Sequence, residues 1–144
     1  TRTLLAHMDN HHAVKDGQKA TIGYCMSGRI VTTAATTFPD IFVANASLYG
    51  VGIVTAKDDS PHLGIKKITG EMYFGFAETD GTVPSYVVPT LKAALDETDV
   101  VYTLDIHPGT EHGFCFPLRD VYNKAAAEKA HAHFMDMCAR RLRA

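Results

Sequence analysis

Gly23-Tyr24-Cys25-Met26-Ser27-Gly28 separates two runs of different character. Before the cysteine, Ala20-Thr21-Ile22-Gly23-Tyr24 is short and uncharged, as a strand buried on both faces is. After it, Arg29-Ile30-Val31-Thr32-Thr33-Ala34-Ala35 is mostly small and apolar and reads as a buried helix, stopped by Pro39 and Asp40. A side chain at such a strand-to-helix junction stands on a sharp turn, so the residues two positions to either side must be small; Gly23 and Ser27 occupy those positions. The turn lifts the side chain clear of the sheet. It also aims a helix N-terminus at whatever binds there, which favours a thiolate and a developing oxyanion. Taken alone, the pattern fits a buried structural cysteine equally well.

Outward from this junction, the chain alternates between strand and helix. Thr3 to His12 has apolar residues at helical spacing, and the turn Lys15-Asp16-Gly17-Gln18 follows. Phe42 to Tyr49 reads as a strand broken by Gly50 and Gly52, and residues 55 to 67 are a polar, proline-containing excursion. Glu71 to Ala77 reads as a strand ending at Glu78-Thr79-Asp80-Gly81. Pro84 opens a helix to about Glu97, with Val87, Val88, Leu91 and Leu95 inward and Pro89 tolerated in its first turns. Val100 to Ile106 is a strand, His107 to Gly113 a loop, and Val121 to Leu142 a closing helix. Arg140, Arg141 and Arg143 in its last turn suit the negative end of the helix dipole. This order predicts an α/β fold with a mostly parallel sheet and helices on both faces. No internal repeat, linker or low-complexity segment interrupts it.

Composition narrows the function. The 144 residues are 46% hydrophobic and 21% charged, which suits one globular domain with a core and excludes disorder. A formal net charge of −2 argues against a nucleic-acid partner. No apolar run is long enough for a membrane span, and no charged-then-apolar leader is visible at the start. The cysteines, Cys25, Cys115 and Cys138, are odd in number and include no C-x-x-C pair. This disfavours disulfides, a cysteine-rich zinc site and thiol–disulfide exchange, and suits free thiols in the cytoplasm. No metal or organic cofactor is expected.

Two further residues complete a chemistry with Cys25. Asp80 directly follows a hydrophobic strand, where functional groups of parallel sheets collect, although an aspartate opening a turn is as often a cap. His112 follows the last strand; a single loop histidine is more often merely solvated. Together they run in the order nucleophile, acid, base, each just beyond a strand, as in the α/β-hydrolase triad. A thiol of ordinary pKa, about 8.5, is mostly protonated at neutral pH. An imidazole can take that proton, and a carboxylate on the far ring nitrogen holds the tautomer. Glu78 competes with Asp80 for this last role, and Glu111 reads as solvent-facing. His7 and His11 stand four apart, as in H-E-x-x-H zinc helices, but Met8 replaces the glutamate and a His-rich helix surface is the plainer reading. His131 and His133 read as surface residues, Tyr24 as packed against the sheet, and Cys115 and Cys138 as bystanders.

The motifs also resemble a family. Gly-Tyr-Cys-Met-Ser-Gly is similar to the Gly-Tyr-Cys-Leu-Gly-Gly nucleophile elbow of the dienelactone hydrolases (carboxymethylenebutenolidases), with Ser27 in place of the usual glycine. Tyr49-Gly50-Val51-Gly52, Glu78-Thr79-Asp80-Gly81-Thr82-Val83-Pro84, Pro108-Gly109-Thr110-Glu111-His112-Gly113-Phe114 and the alanine-rich final helix extend the likeness from about Gly17 onward. The resemblance implies an ester or lactone hydrolase working through a thioester, with Cys25 as nucleophile, His112 as base, Asp80 as orienting acid and the Met26 N–H as one oxyanion donor. Arg119 is a candidate for binding a substrate carboxylate, a surface ion pair being the simpler reading. The chain, taken as one partial domain over 1–144, resembles the C-terminal three-fifths of the family fold, without its N-terminal strands. That part is expected to carry the second oxyanion donor. A sheet cut this way exposes a strand edge, so self-association is expected. An incomplete hydrolase domain that only binds or associates is the alternative reading.

Overall fold

The computed structural model describes residues 1–142. Its elements are α1 (Arg2–Asp9), β1 (Lys19–Tyr24), α2 (Ser27–Thr37), β2 (Phe42–Leu48), a 3-10 helix (Pro61–Lys67), β3 (Glu71–Thr79), α3 (Val87–Asp96), β4 (Tyr102–Glu111) and α4 (Lys124–Arg141). Arg143 lies outside the described residues.

The four strands form one sheet in the order β1-β2-β3-β4, and every pair is parallel. Each crossover therefore advances one strand in the same direction, and all of them land on one face. There α2, α3 and the segment around the 3-10 helix bury Val31, Ile65, Leu91 and Leu95 against Met72, Phe74 and Phe76. On the other face α4 packs Ala127, Ala130 and Met137 against Ala44, Ala46, Leu48 and Tyr73. β2 is buried along its whole length, which its uncharged sequence allows. The alanines of β2 and α4 let the helix lie close to the sheet.

The expected α/β class holds; the differences are the 3-10 helix inside the polar excursion at 55 to 67 and shifts at element ends. The closing strand runs through His107-Pro108-Gly109-Thr110 to Glu111 rather than ending at Ile106. Pro108 has no backbone N–H, yet the strand tolerates it, because β4 has a neighbour on one side only. The pairing with β3 slips between Ala77 and Thr79 to absorb it. α3 begins at Val87, so Pro89 stands in its first turn, where a missing N–H costs nothing. His131 and His133 are only partly exposed, and each has a partner on the sheet rather than being simply solvated. His131 Nε2 lies 2.9 Å from Tyr24 Oη, and His133 stacks on Tyr73 with ring centroids 4.9 Å apart while reaching Asp105 at 3.5 Å.

Candidate active site

Cys25 stands between β1 and α2 with φ +53°, a left-handed backbone that few non-glycine residues adopt. Its N–H donates to Leu48 O at 3.1 Å and its carbonyl accepts from Val51 N at 3.0 Å. The two bonds tie it to the last residue of β2 and to the segment that follows. The elbow demands close packing behind it. A Cβ on Gly23 would meet Val31 Cγ2 at 2.6 Å and Ser27 O at 2.7 Å. One on Gly28 would meet Gly50 Cα at 2.4 Å. Gly28 and Gly50 therefore bring the first turn of α2 against the end of β2, and this sets where Met26 sits. Among the described residues the Met26 N–H donates to no backbone carbonyl. It stands at the start of α2, where amides are free to bind negative charge.

Asp80 and His112 meet at the carboxyl ends of β3 and β4. The parallel register brings Thr79 opposite Glu111, so the residues that follow each strand converge. His112 Nδ1 lies 2.7 Å from Asp80 Oδ2, with the aspartate side chain 4% and the histidine 18% exposed. Burial raises the Asp80 pKa, but hydrogen bonds from Thr82 and His112 outweigh it and hold the carboxyl below its ordinary value. Asp80 is therefore an anion at neutral pH. A carboxylate on Nδ1 keeps the proton there and leaves Nε2 as the basic nitrogen.

Tyr49 links the two halves of the site. It follows β2 with φ +38°, is buried, and places its ring edge-on to His112 with centroids 5.1 Å apart. The backbone bonds of Cys25 end on either side of this residue, at Leu48 and Val51. The side-chain hydrogen bonds of His112 go to Asp80 and Thr82, and among the described residues none joins it to the Cys25 thiol.

The other candidates fall elsewhere. Glu78 Oε2 accepts from Gly109 N at 2.9 Å, so it braces the end of β4 rather than His112. Glu111 is exposed. Arg119 is exposed and makes no ion pair among the described residues, contrary to the simpler expectation for it; its guanidinium lies over Gly113, where an added Cβ would meet Nη1 at 2.7 Å. It therefore lies against the residue that follows the histidine in the chain. Cys115 is buried, and desolvation pushes its thiol up to about 12, against a smaller opposing effect of Tyr49. Cys138 is raised by burial as well. α1 ends at Asp9, short of the expected His12, so exposed His7 is on the helix and exposed His11 beyond its end, with ring centroids 5.8 Å apart; among the described residues no group of three or more histidine, cysteine or acidic side chains is placed to hold a metal ion. A groove of about 630 Å³ runs past Asp80, Val83, Pro84 and Ile106, and another of about 560 Å³ past Met26, Arg29 and Ile30. Neither is lined by Cys25 or His112.

Sequence reasoning did not single out Tyr49 or Thr82. Asp-x-Thr is a signal for a turn closed by its own side chains, and it could have marked Thr82. In the sequence Tyr49 is marked only as part of the Tyr49-Gly50-Val51-Gly52 segment; its packing on His112 is visible only in the fold.

Residues 2–142 match the profile of the Dienelactone hydrolase family. The chain belongs to the dienelactone hydrolase family. Among its relatives are a Synechocystis protein assigned as a carboxymethylenebutenolidase, 32% identical over 120 residues, and a Bradyrhizobium protein assigned as a 2-oxo-3-(5-oxofuran-2-ylidene)propanoate lactonase, 26% identical over 128 residues. The alignments cover 81% and 86% of this chain but only 48% and 51% of those proteins, so the chain spans about half the length of the relatives it matches. The fold agrees. A crystal structure from Klebsiella pneumoniae, assigned as a dienelactone hydrolase, superposes with a TM-score of 0.85 at 19% identity, covering 96% of this chain and 59% of that one. A dienelactone hydrolase-like promiscuous phosphotriesterase from metagenomic libraries superposes at 0.79 with 16% identity, covering 97% and 60%. Among the described residues no helix is long and apolar enough to cross a membrane.

Proposed function

We propose that this chain carries the catalytic triad of an ester or lactone hydrolase, with Cys25 as nucleophile, His112 as base and Asp80 as orienting acid. The observation that carries the reading is the 2.7 Å pair of His112 Nδ1 and nearly buried Asp80 Oδ2, across the sheet's carboxyl edge from a cysteine held at φ +53°. A strained backbone persists where surrounding structure enforces it, and it clusters at working sites.

The chemistry follows from the groups. His112 Nε2 takes the thiol proton as the Cys25 sulfur attacks the carbonyl carbon. The carbonyl oxygen becomes an oxyanion facing the Met26 N–H. The intermediate collapses by breaking the bond to the alkoxide, which leaves with the proton from His112. A thioester remains on Cys25. Water attacks it with His112 again as base, and the acid departs as the thiol is restored. Asp80 stays ionised throughout and supports the imidazolium. Arg119, which makes no ion pair among the described residues and lies against Gly113 next to the histidine in the chain, is our candidate for holding a carboxylate on the substrate. The family membership and the name of the Bradyrhizobium relative favour a lactone bearing such a group.

The test is release of nitrophenolate from an activated aryl ester, with thiol titration alongside. We expect a burst that is abolished in Cys25→Ala while the circular dichroism spectrum is retained; unchanged turnover by that variant ends the assignment. Asp80→Asn is expected to lower kcat by about 10²–10⁴-fold, since the tautomer is then uncontrolled. Glu78→Gln is expected to do much less, and the reverse ranking would transfer the acid role to Glu78. A reactive Cys25 with no turnover would favour the reading in which this domain only binds or associates.

A further inference from the structure

The aspartate–histidine pair is part of a closed ring with a third member. Asp80 Oδ1 accepts from the Thr82 backbone N–H at 2.9 Å and from the Thr82 hydroxyl at 2.6 Å. The same Oγ1 lies 3.0 Å from His112 Nδ1, the nitrogen that also faces Asp80 Oδ2 at 2.7 Å. A hydroxyl has one proton and two lone pairs. With its proton given to Asp80 Oδ1, the oxygen can only accept from His112. The Nδ1–H therefore sits between two acceptors. The alternative tautomer would place a bare Nδ1 lone pair against the carboxylate oxygen and call the hydroxyl proton away from Asp80.

We propose that Thr82 is a positioning residue of the site, whose hydroxyl locks Asp80 and His112 in the Nδ1–H tautomer and keeps His112 Nε2 available to Cys25. The proposal rests on the triad reading for its meaning in catalysis, but its geometry does not depend on it. The β-branched side chain has few χ1 choices, so the hydroxyl is held in place even on an exposed turn. The two bonds from position 82 also occupy Oδ1, leaving Oδ2 alone to meet the imidazole. Without the hydroxyl, Asp80 keeps the backbone bond but is free to rock about it.

The experiment compares wild type, Thr82→Val and Thr82→Ser, with Asp80→Asn as reference. The imidazole ¹⁵N spectrum of the full chain, taken where His112 is neutral, reports the tautomer. We expect the Nδ1–H form to dominate in wild type and Thr82→Ser, to lose ground to Nε2–H in Thr82→Val, and to lose more in Asp80→Asn. On the aryl ester, Thr82→Val is expected to lose roughly tenfold in kcat with KM little changed, and Thr82→Ser to recover most of it, as for one hydrogen bond to a charged group. Tautomer populations in Thr82→Val equal to wild type would overturn the proposal, as would a valine variant whose loss serine does not restore. Because the spectrum reads the ring whether or not ester is cleaved, failure of the hydrolase reading and failure of the Thr82 assignment give different results. Thr82 is exposed and outside the helices and strands, so the variants should fold.

Discussion

Cys25 holds backbone strain of the kind the proposed chemistry would use. An L-residue in the left-handed region pays about 1–2 kcal/mol that glycine does not. Cys25→Gly is therefore expected to be more stable than Cys25→Ala by about 1 kcal/mol, measured by urea unfolding, although neither variant carries the proposed nucleophile. Equal stabilities would show that the elbow is relaxed at this residue. The three thiols are also expected to separate by reactivity. Cys115, buried with its thiol pushed up to about 12, should resist iodoacetamide until the chain unfolds. Half-buried Cys138, also raised, should react slowly, and Cys25 first. Peptide mapping after a short alkylation pulse distinguishes the three.

His107 gives the molecule a pH dependence of its own. It is 2% exposed, and its Nε2 lies 3.0 Å from Tyr73 Oη. Burial holds its pKa below the ordinary 6.5; Asp105 opposes this, while Lys129 and His133 add to it. Below pH 6.5 the unfolded chain takes up a proton that the folded chain refuses. Stability is then full above that pH and falls as the pH drops from there toward the folded pKa. Asp80 acts lower on the scale. Its carboxyl is held below 3.8 when folded, so its contribution is full above that value and is lost as the pH falls through the folded pKa. Unfolding free energies between pH 7.5 and 5 should decline, and His107→Gln should flatten the decline. An unchanged slope in that variant would assign it to other groups.

At the scale of elements, α4 is held to the sheet by more than its alanines. Glu71, at the start of β3 and nearly buried, accepts from Arg140 at 2.5 Å and Arg141 at 3.0 Å. The arginines suit the helix dipole, as their position at the end of the helix suggested, but they also anchor that end. Glu71→Gln leaves two cations unmatched and is expected to cost about 1–3 kcal/mol by thermal melting. The contact of α2 with the end of β2 is tighter. Gly28→Ala would drive a methyl group against Gly50 Cα at 2.4 Å and Ser47 Oγ at 2.5 Å; the serine can turn aside but the Gly50 backbone cannot. We expect loss of a few kcal/mol together with displacement of Met26, because the two glycines set the height of the helix that carries it.

At the scale of the whole molecule, β1 is an edge strand whose one partner is β2. The N–H and C=O groups of its other edge are unpaired within the sheet, a template for another strand. We expect this chain on its own to associate through that edge. Sedimentation should show mass rising with concentration, and the alternate β1 amides that point away from β2 should gain protection from hydrogen exchange along with it. A monomer at all concentrations, with those amides unprotected, would show that the edge is tolerated as it stands.

The sequence by itself determined the α/β class and the strand-to-helix turn at Cys25, and it marked Asp80 and His112 as candidates with Glu78 as a rival acid. Each of these rests on local rules: runs of one character flanked by turn residues, small residues around a sharp turn, polar groups placed just after buried strands. That Asp80 is the one that meets His112 was decided by the folded chain. What lies between elements was decided only in the folded molecule. That β4 continues through Pro108 depends on its having one neighbour, which no local pattern reveals. His131 and His133 stand only two residues apart, yet one meets Tyr24 and the other Tyr73 and Asp105, because α4 lies over the sheet at a particular height. Tyr49 packs on His112 from 63 positions away in the chain. Thr82 closes its ring only when β3 and β4 end side by side. Contacts of this kind depend on register and on the distance between layers, and those are set by the packing of all side chains at once.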